Sequence, residues 1–97
     1  MQVFKKILIG IAFSPNLKAN LFEAIRISNM FDAELVGVHV GDKTEDKEEK
    51  LQLLLDEAPK LKTPIQTIWQ KGKPLHVIQD TCIKNNIDLL CFAYFSV

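Results

Sequence analysis

The segment KKILIGIAF, Lys5–Phe13, constrains the fold more than any other. After its two lysines it is a continuous apolar run containing three isoleucines, with no alternation of apolar and polar residues. A strand wetted on one side alternates; a strand covered on both faces does not. The run therefore predicts a central strand of a parallel sheet, and parallel strands need crossover connections, usually helices.

The rest of the chain supplies them. Ser14-Pro15 reads as a helix start, with Ser14 as cap and Pro15 at the first helical position. Leu17, Leu21, Ala24, Ile25, Ser28 and Phe31 recur at spacings of three and four, one face of a helix over about 17–31. ELVGVHV, Glu34–Val40, is a second buried strand that Gly41-Asp42 ends. KTEDKEEK, Lys43–Lys50, reads as the solvated start of a second helix, whose apolar face is Leu51, Leu54, Leu55 and Ala58. Pro64–Gln70 is a third strand with partial alternation, placed nearer an edge. Gly72-Lys73-Pro74 turns the chain into a third helix with Leu75, Ile78 and Cys82 on its inner face, stopped at Asn85-Asn86. Asp88–Phe95 is a fourth strand. The order β-α-β-α-β-α-β implies an α/β fold with right-handed crossovers.

Length and charge narrow the function. The chain has 97 residues, one domain over 1–97. Lys plus Arg equals Asp plus Glu at 12 each, so there is no basic surplus for nucleic acid or an acidic membrane. No apolar run reaches the roughly 20 residues of a membrane span. The apolar start lacks a small-residue cleavage site and ends at Ser14-Pro15, so it reads as a strand, and a cytoplasmic location is expected. Cys82 and Cys91 lack C-x-x-C spacing; reduced thiols are expected.

In an open parallel sheet, ligands bind beyond the carboxyl ends of the strands. The candidates there are Ala12, Phe13 and Ser14, then Val40 and Gly41, then Ala93 and Tyr94. None is a carboxylate, histidine or lysine. Ser14 has no predicted base beside it and reads as a helix cap. His39 reads as a hydrogen-bonded histidine of the core or rim, His76 as exposed, and Trp69 as packing at a sheet or dimer edge. The two histidines form no metal pattern. Neither G-x-G-x-x-G nor a Walker sequence is present. A receiver domain would need an acidic pair after the first strand and an aspartate after the third. Ala12, Phe13, Gln70 and Lys71 occupy those places.

Four segments resemble the universal stress protein superfamily, in order: KKILIGIAFS, its first strand; ELVGVHVGD, its second; GKP, its Gly-x-Pro helix start; and NNIDLLCFAY, its "acid-DLIVMG" strand. The resemblance implies a flavodoxin-like, adenine-nucleotide α-hydrolase-like sheet of order 3-2-1-4, with the family's fifth strand and last helix missing here, and usually a dimer. Some members bind ATP. It implies a nucleotide site at Ala12, Phe13, Ser14, Val40, Phe92 and Ala93, in degenerate form. The family's acidic residue at the end of the first strand is Ala12 here, Val40 matches the adenine-contacting valine, and Phe92-Ala93 replaces Met-Gly. The phosphate-binding G-x-x-G-x9-G-[ST] would follow Ala93 and is not in the sequence.

A lost hydrogen bond to a charged group costs about 1.5–3 kcal/mol, and about 1.4 kcal/mol is tenfold in affinity. Losing the acid and the phosphate loop moves a micromolar site to millimolar or beyond. The expectation is a non-catalytic stress-response protein, not an enzyme, with no metal and no cofactor beyond weak ATP or AMP. It would act as a homodimer or on a protein partner through the apolar edge of the fourth strand. The alternative is an ATP- or AMP-binding regulator whose pocket is completed by further sequence or a partner chain.

Overall fold

The structure is a computed structural model that describes residues 5–62 and 64–91, apart from the side chains of 89–91. Its elements are β1 (Lys6–Gly10), α1 (Leu17–Met30), β2 (Glu34–Val40), α2 (Glu45–Glu57), β3 (Gln66–Gln70), α3 (Pro74–Lys84) and β4 (Leu89–Cys91). Three parallel strands, β1, β2 and β3, form the body of the sheet, with Ile9 opposite Gly37 and His39 opposite Trp69. The short β4 adds to the other side of β1, giving the order β3-β2-β1-β4. Of the strand expected over Asp88–Phe95, residues 92–95 lie outside the described residues.

The apolar run of β1 is covered on both faces, as its lack of alternation requires. Ile7, Ile9 and Ile11 pack with Leu17, Leu21, Ala24 and Ile25 of α1 and with Leu51 of α2. Leu8 points the other way and packs with Val36, Val38, Val77 and Ile78, under α3. Two helices cover one face and one covers the other because the chain moves outward twice from β1 and then crosses back to β4. Gly37 faces Ile11; a Cβ there would meet the Ile11 Cδ1 at 2.6 Å.

Local chemistry sets the helix ends. Thr44 caps α2, its hydroxyl accepting from the Lys47 amide, and Glu45, Asp46 and Glu48 complement the positive end of the helix dipole. Pro74 opens α3 and Asn86 closes its exit at φ 54°. Asn29 of α1 donates to the Lys60 carbonyl and accepts from the Lys62 amide, tying the end of α1 to the approach to β3.

Two expectations need correction. The cap of α1 is Asn16, not Ser14, and Pro15 precedes the helix; the chain makes a further turn, in which the Ser14 carbonyl accepts from the Leu17 amide, before α1 begins. Leu75 does not lie on the inner face of α3: it is 55% exposed, while Val77, Ile78 and Thr81 are buried. The inner stripe runs through 77, 78 and 81, and Leu75 falls outside it. No helix among the described residues is long and apolar enough to cross a membrane.

At the amino edge of the sheet, Asp88 holds β4 to β1. Its carboxylate accepts from the backbone amides of Lys5 and Lys6 at 2.8 and 2.9 Å, while its own amide donates to the Lys6 carbonyl at 2.9 Å. These hydrogen bonds, Lys6 first and then Lys5, hold the carboxyl below its ordinary value of 3.8. A carboxyl depressed in the folded state adds stability that is present above 3.8 and is lost as pH falls through the lower folded-state value. Asp88→Asn should therefore be less stable than the parent at pH 7, and the difference should shrink below pH 3.8. Urea unfolding of both proteins across pH 2.5–7 checks this.

Candidate functional site

Because β1, β2 and β3 run parallel, their carboxyl ends share one edge, and the loop 11–16 opens there. Ala12 and Phe13 are half-buried and Ser14 is exposed. The Ser14 amide donates to the Ala12 carbonyl at 2.8 Å and the Ser14 hydroxyl accepts from the Asn16 amide at 3.3 Å. That hydroxyl shapes a turn, and among the described residues no base is hydrogen-bonded to it to make it a nucleophile. Val40 ends β2 on the α3 side of the sheet, packed against the Leu8–Val38 cluster. The structure thus brings Ala12, Phe13, Ser14 and Val40 to one edge; Phe92 and Ala93 lie outside the described residues.

The chemistry of the edge centres on His39, which is buried. A ring nitrogen, Nδ1, lies 2.7 Å from the Ile11 carbonyl oxygen, and Nε2 lies 3.2 Å from the Lys47 ammonium. A carbonyl oxygen can only accept and an ammonium can only donate. Nδ1 therefore carries the proton and Nε2 offers its lone pair to Lys47, which fixes a neutral Nδ1–H tautomer. The ring is further held edge-on by Phe13, with centroids 5.0 Å apart, and by Trp69 at 5.4 Å. Phe13 and Trp69 lie nearly parallel, 6.2 Å apart. One residue from each of the three strand ends enters this cluster.

Around it the loops are cross-tied. Lys47 also donates to the Asp42 carbonyl at 3.3 Å. The Asp42 carboxylate accepts from Lys71 at 2.8 Å, joining the loop after β2 to the loop after β3. That hydrogen bond and the attraction that goes with it lower the Asp42 carboxyl and raise the Lys71 ammonium. Gly41 makes the turn out of β2 at φ 146°, and its amide donates to the Gln70 carbonyl. Cys82 is a half-buried free thiol whose burial pushes its pKa above the ordinary value. No group of three or more metal-ligating side chains forms among the described residues.

Two contributors escape the sequence reading. Lys47 lies inside a charge run, and nothing in KTEDKEEK distinguishes it from its neighbours; its contact with His39 arises only once the run folds back over the end of β2. Asp88 stands in the strand-opening acid position of the fourth segment, but its partners are backbone amides 82 and 83 residues away. The expected roles of His39 and Trp69, a hydrogen-bonded histidine and an edge packing residue, match the geometry.

A groove of about 660 Å³ opens beside the edge, between the start of α1 and α2. Phe13, Leu17, Leu53 and Leu54 form its apolar floor, and Lys18, Lys50, Asp56 and Glu57 its rim. Lys18 and Glu57 pair across it at 3.3 Å.

No protein-family model and no curated protein matches the sequence. Solved structures do match the fold. A universal stress protein in complex with cAMP superimposes with a TM-score of 0.72, covering 90% of this chain and 70% of that one at 17% identity. Rv1636 from Mycobacterium tuberculosis aligns at 0.68, covering 95% and 72% at 13% identity. The universal stress protein UspA from Lactobacillus plantarum aligns at 0.62, covering 96% and 83% at 22% identity. The chain is therefore structurally similar to universal stress proteins over most of its length, at low sequence identity.

Proposed function

We propose that the protein is a non-catalytic regulatory protein of the universal stress type that works through contacts with itself or another protein and holds nucleotides weakly or not at all. The observation that carries this reading is the loop after β1. From Ile11 to Asn16 it contains no ionisable side chain, and Ala12 occupies the place where the resemblance puts a nucleoside-holding acid. Two polar side chains beside that loop are engaged with the protein itself: His39 with Ile11, and Lys47 with His39 and Asp42. Neither Ser14 nor Cys82 has the activated setting of a nucleophile. For contacts, β4 stands at the end of the strand order among the described residues, an edge to which a further strand would add.

A second reading, a nucleotide-responsive regulator, is favoured by one observation: a protein of the same fold was solved with cAMP. A cyclic monophosphate needs less of a phosphate loop than ATP does. In that case Val40 and the loop Ala12–Ser14 would touch the nucleoside, and further sequence or a partner chain would complete the pocket around ATP or AMP.

Calorimetric titration separates the two. With Mg-ATP, AMP and cAMP, no saturable heat is expected up to millimolar ligand. Saturable binding by any of them tighter than about 100 μM, roughly 5.5 kcal/mol, would overturn the first reading. A gain-of-function variant gives a sharper check. If the missing carboxylate is what weakens the site, Ala12→Asp should tighten ATP binding by about tenfold or more, the worth of about 1.5–3 kcal/mol for a charged hydrogen bond.

A further inference from the structure

We propose that the outer edge of β3 is a docking site for an extended, cationic segment of another protein, which adds as a strand and lays a lysine or arginine against Glu45 and Glu49 of α2. This rests on the reading above and names the surface and the chemistry of the partner. Among the described residues β3 ends the sheet on the side opposite β4. In a parallel strand the backbone groups of alternate residues point to opposite sides. The Gln70 carbonyl accepts from the Gly41 amide, so Gln70 faces β2, and Ile68 and Gln66 face it in turn. The N–H and C=O groups of Thr67 and Trp69 therefore point outward, and among the described residues no hydrogen bond is made to them. Water satisfies many such edges, and proteins deter pairing there with a charge, a proline or a bulge. QTIWQ carries neither charge nor proline, and its register with β2 is unbroken from Gln66 to Gln70.

A groove of about 470 Å³ runs beside this edge, between β3 and α2. Thr67 and Trp69 line it from the strand side. Lys47, near the start of α2, touches His39, and His39 stands opposite Trp69, so α2 begins at the Trp69 end and runs back past Thr67. The groove is graded as a result: Glu45, Glu48 and Glu49 lie toward Trp69, and Gln52 and Leu55 toward Thr67. Glu45 and Glu48 complement the helix dipole, and Glu48 is also paired with Lys43 at 3.4 Å. Glu49 lies beyond the first turn, and neither Glu45 nor Glu49 enters an ion pair among the described residues. An added strand presents side chains to one face at every second residue, roughly 6.7 Å apart. A lysine or arginine on that face meets the glutamates and the Trp69 indole, where a cation–π contact adds to the charge attraction. An apolar side chain two residues away meets Leu55. An acidic segment, a nucleic acid or an anionic membrane meets like charge. Acids alone would not specify a site; here the open edge gives the main-chain hydrogen bonds and the acids select which strand takes them.

Titration of the isotope-labelled full chain with the blocked peptide TKTVTKT tests this, read by backbone amide shifts and by the fluorescence of Trp69, the single tryptophan. The peptide reads alike in both directions, so it serves parallel and antiparallel addition. Saturable shifts are expected at Thr67, Trp69 and Glu49, and the same peptide N-methylated throughout should give none. Glu45→Gln together with Glu49→Gln should weaken binding about threefold or more, the worth of exposed ion pairs. Glu49→Lys should weaken it further and should accept TETVTET, which the parent refuses. The amide spectrum of each variant confirms that it is folded. An absence of shifts at millimolar TKTVTKT overturns the proposal, as do shifts confined to β4 or to the α1–α2 groove. Binding that ignores both the glutamate variants and the N-methylation overturns it too. The nucleotide titration is independent: failure of the peptide leaves the reading above standing on β4, and tight nucleotide binding overturns that reading whatever the peptide does.

Discussion

Everything in this structure follows from a strand that must be hidden on both faces. Ile7, Leu8, Ile9 and Ile11 are each 0–1% exposed. Fully burying one such side chain is worth about 1.5–3 kcal/mol. Covering both faces needs helices above and below, and satisfying the backbone of a buried strand needs neighbours on both sides. β2 and β4 supply the hydrogen bonds, α1 and α2 one cover and α3 the other. Salt bridges play a minor part, since the pairs among the described residues are at the surface, where exposed pairs contribute little.

The same constraint delivers the candidate site. Parallel strands place all their carboxyl ends on one edge, which is where this fold leaves room for a ligand. Here the part of the edge formed by β1, β2 and β3 is occupied by its own residues. Phe13, His39 and Trp69 close over the strand ends, and Lys47 takes the one lone pair that the imidazole leaves open. The polar groups at this edge, His39, Asp42, Lys47 and Lys71, hold the loops to one another. Under the proposed function, contact surfaces carry the protein's role.

Most of the fold was legible because it is written in local patterns. The unbroken apolar run of β1, the three-and-four spacing of α1 and the Gly-Lys-Pro turn into α3 each follow from residues close in sequence. The failures share a cause. Ser14 and Asn16 are both good caps, and only the extra turn decides between them. Leu75 has the right hydrophobicity for the inner face of α3, but the helix phase that places it outside is set by packing against β2. Lys47 and Asp88 act through partners far away in the chain, so no window of sequence contains their roles. The groove could not be anticipated either, since it depends on how closely α1 and α2 approach.

The central claim is that His39 is a structural pin, with Nδ1–H given to the Ile11 carbonyl and Nε2 to Lys47, and not a group held ready for a ligand. Long-range proton–nitrogen correlation spectra of the imidazole at neutral pH test it most directly. The account predicts a single neutral tautomer with the proton on Nδ1 and an unprotonated Nε2, and a loss of that fixed state in Lys47→Met. A ring with its proton on Nε2, or one exchanging between tautomers in the parent protein, would contradict it.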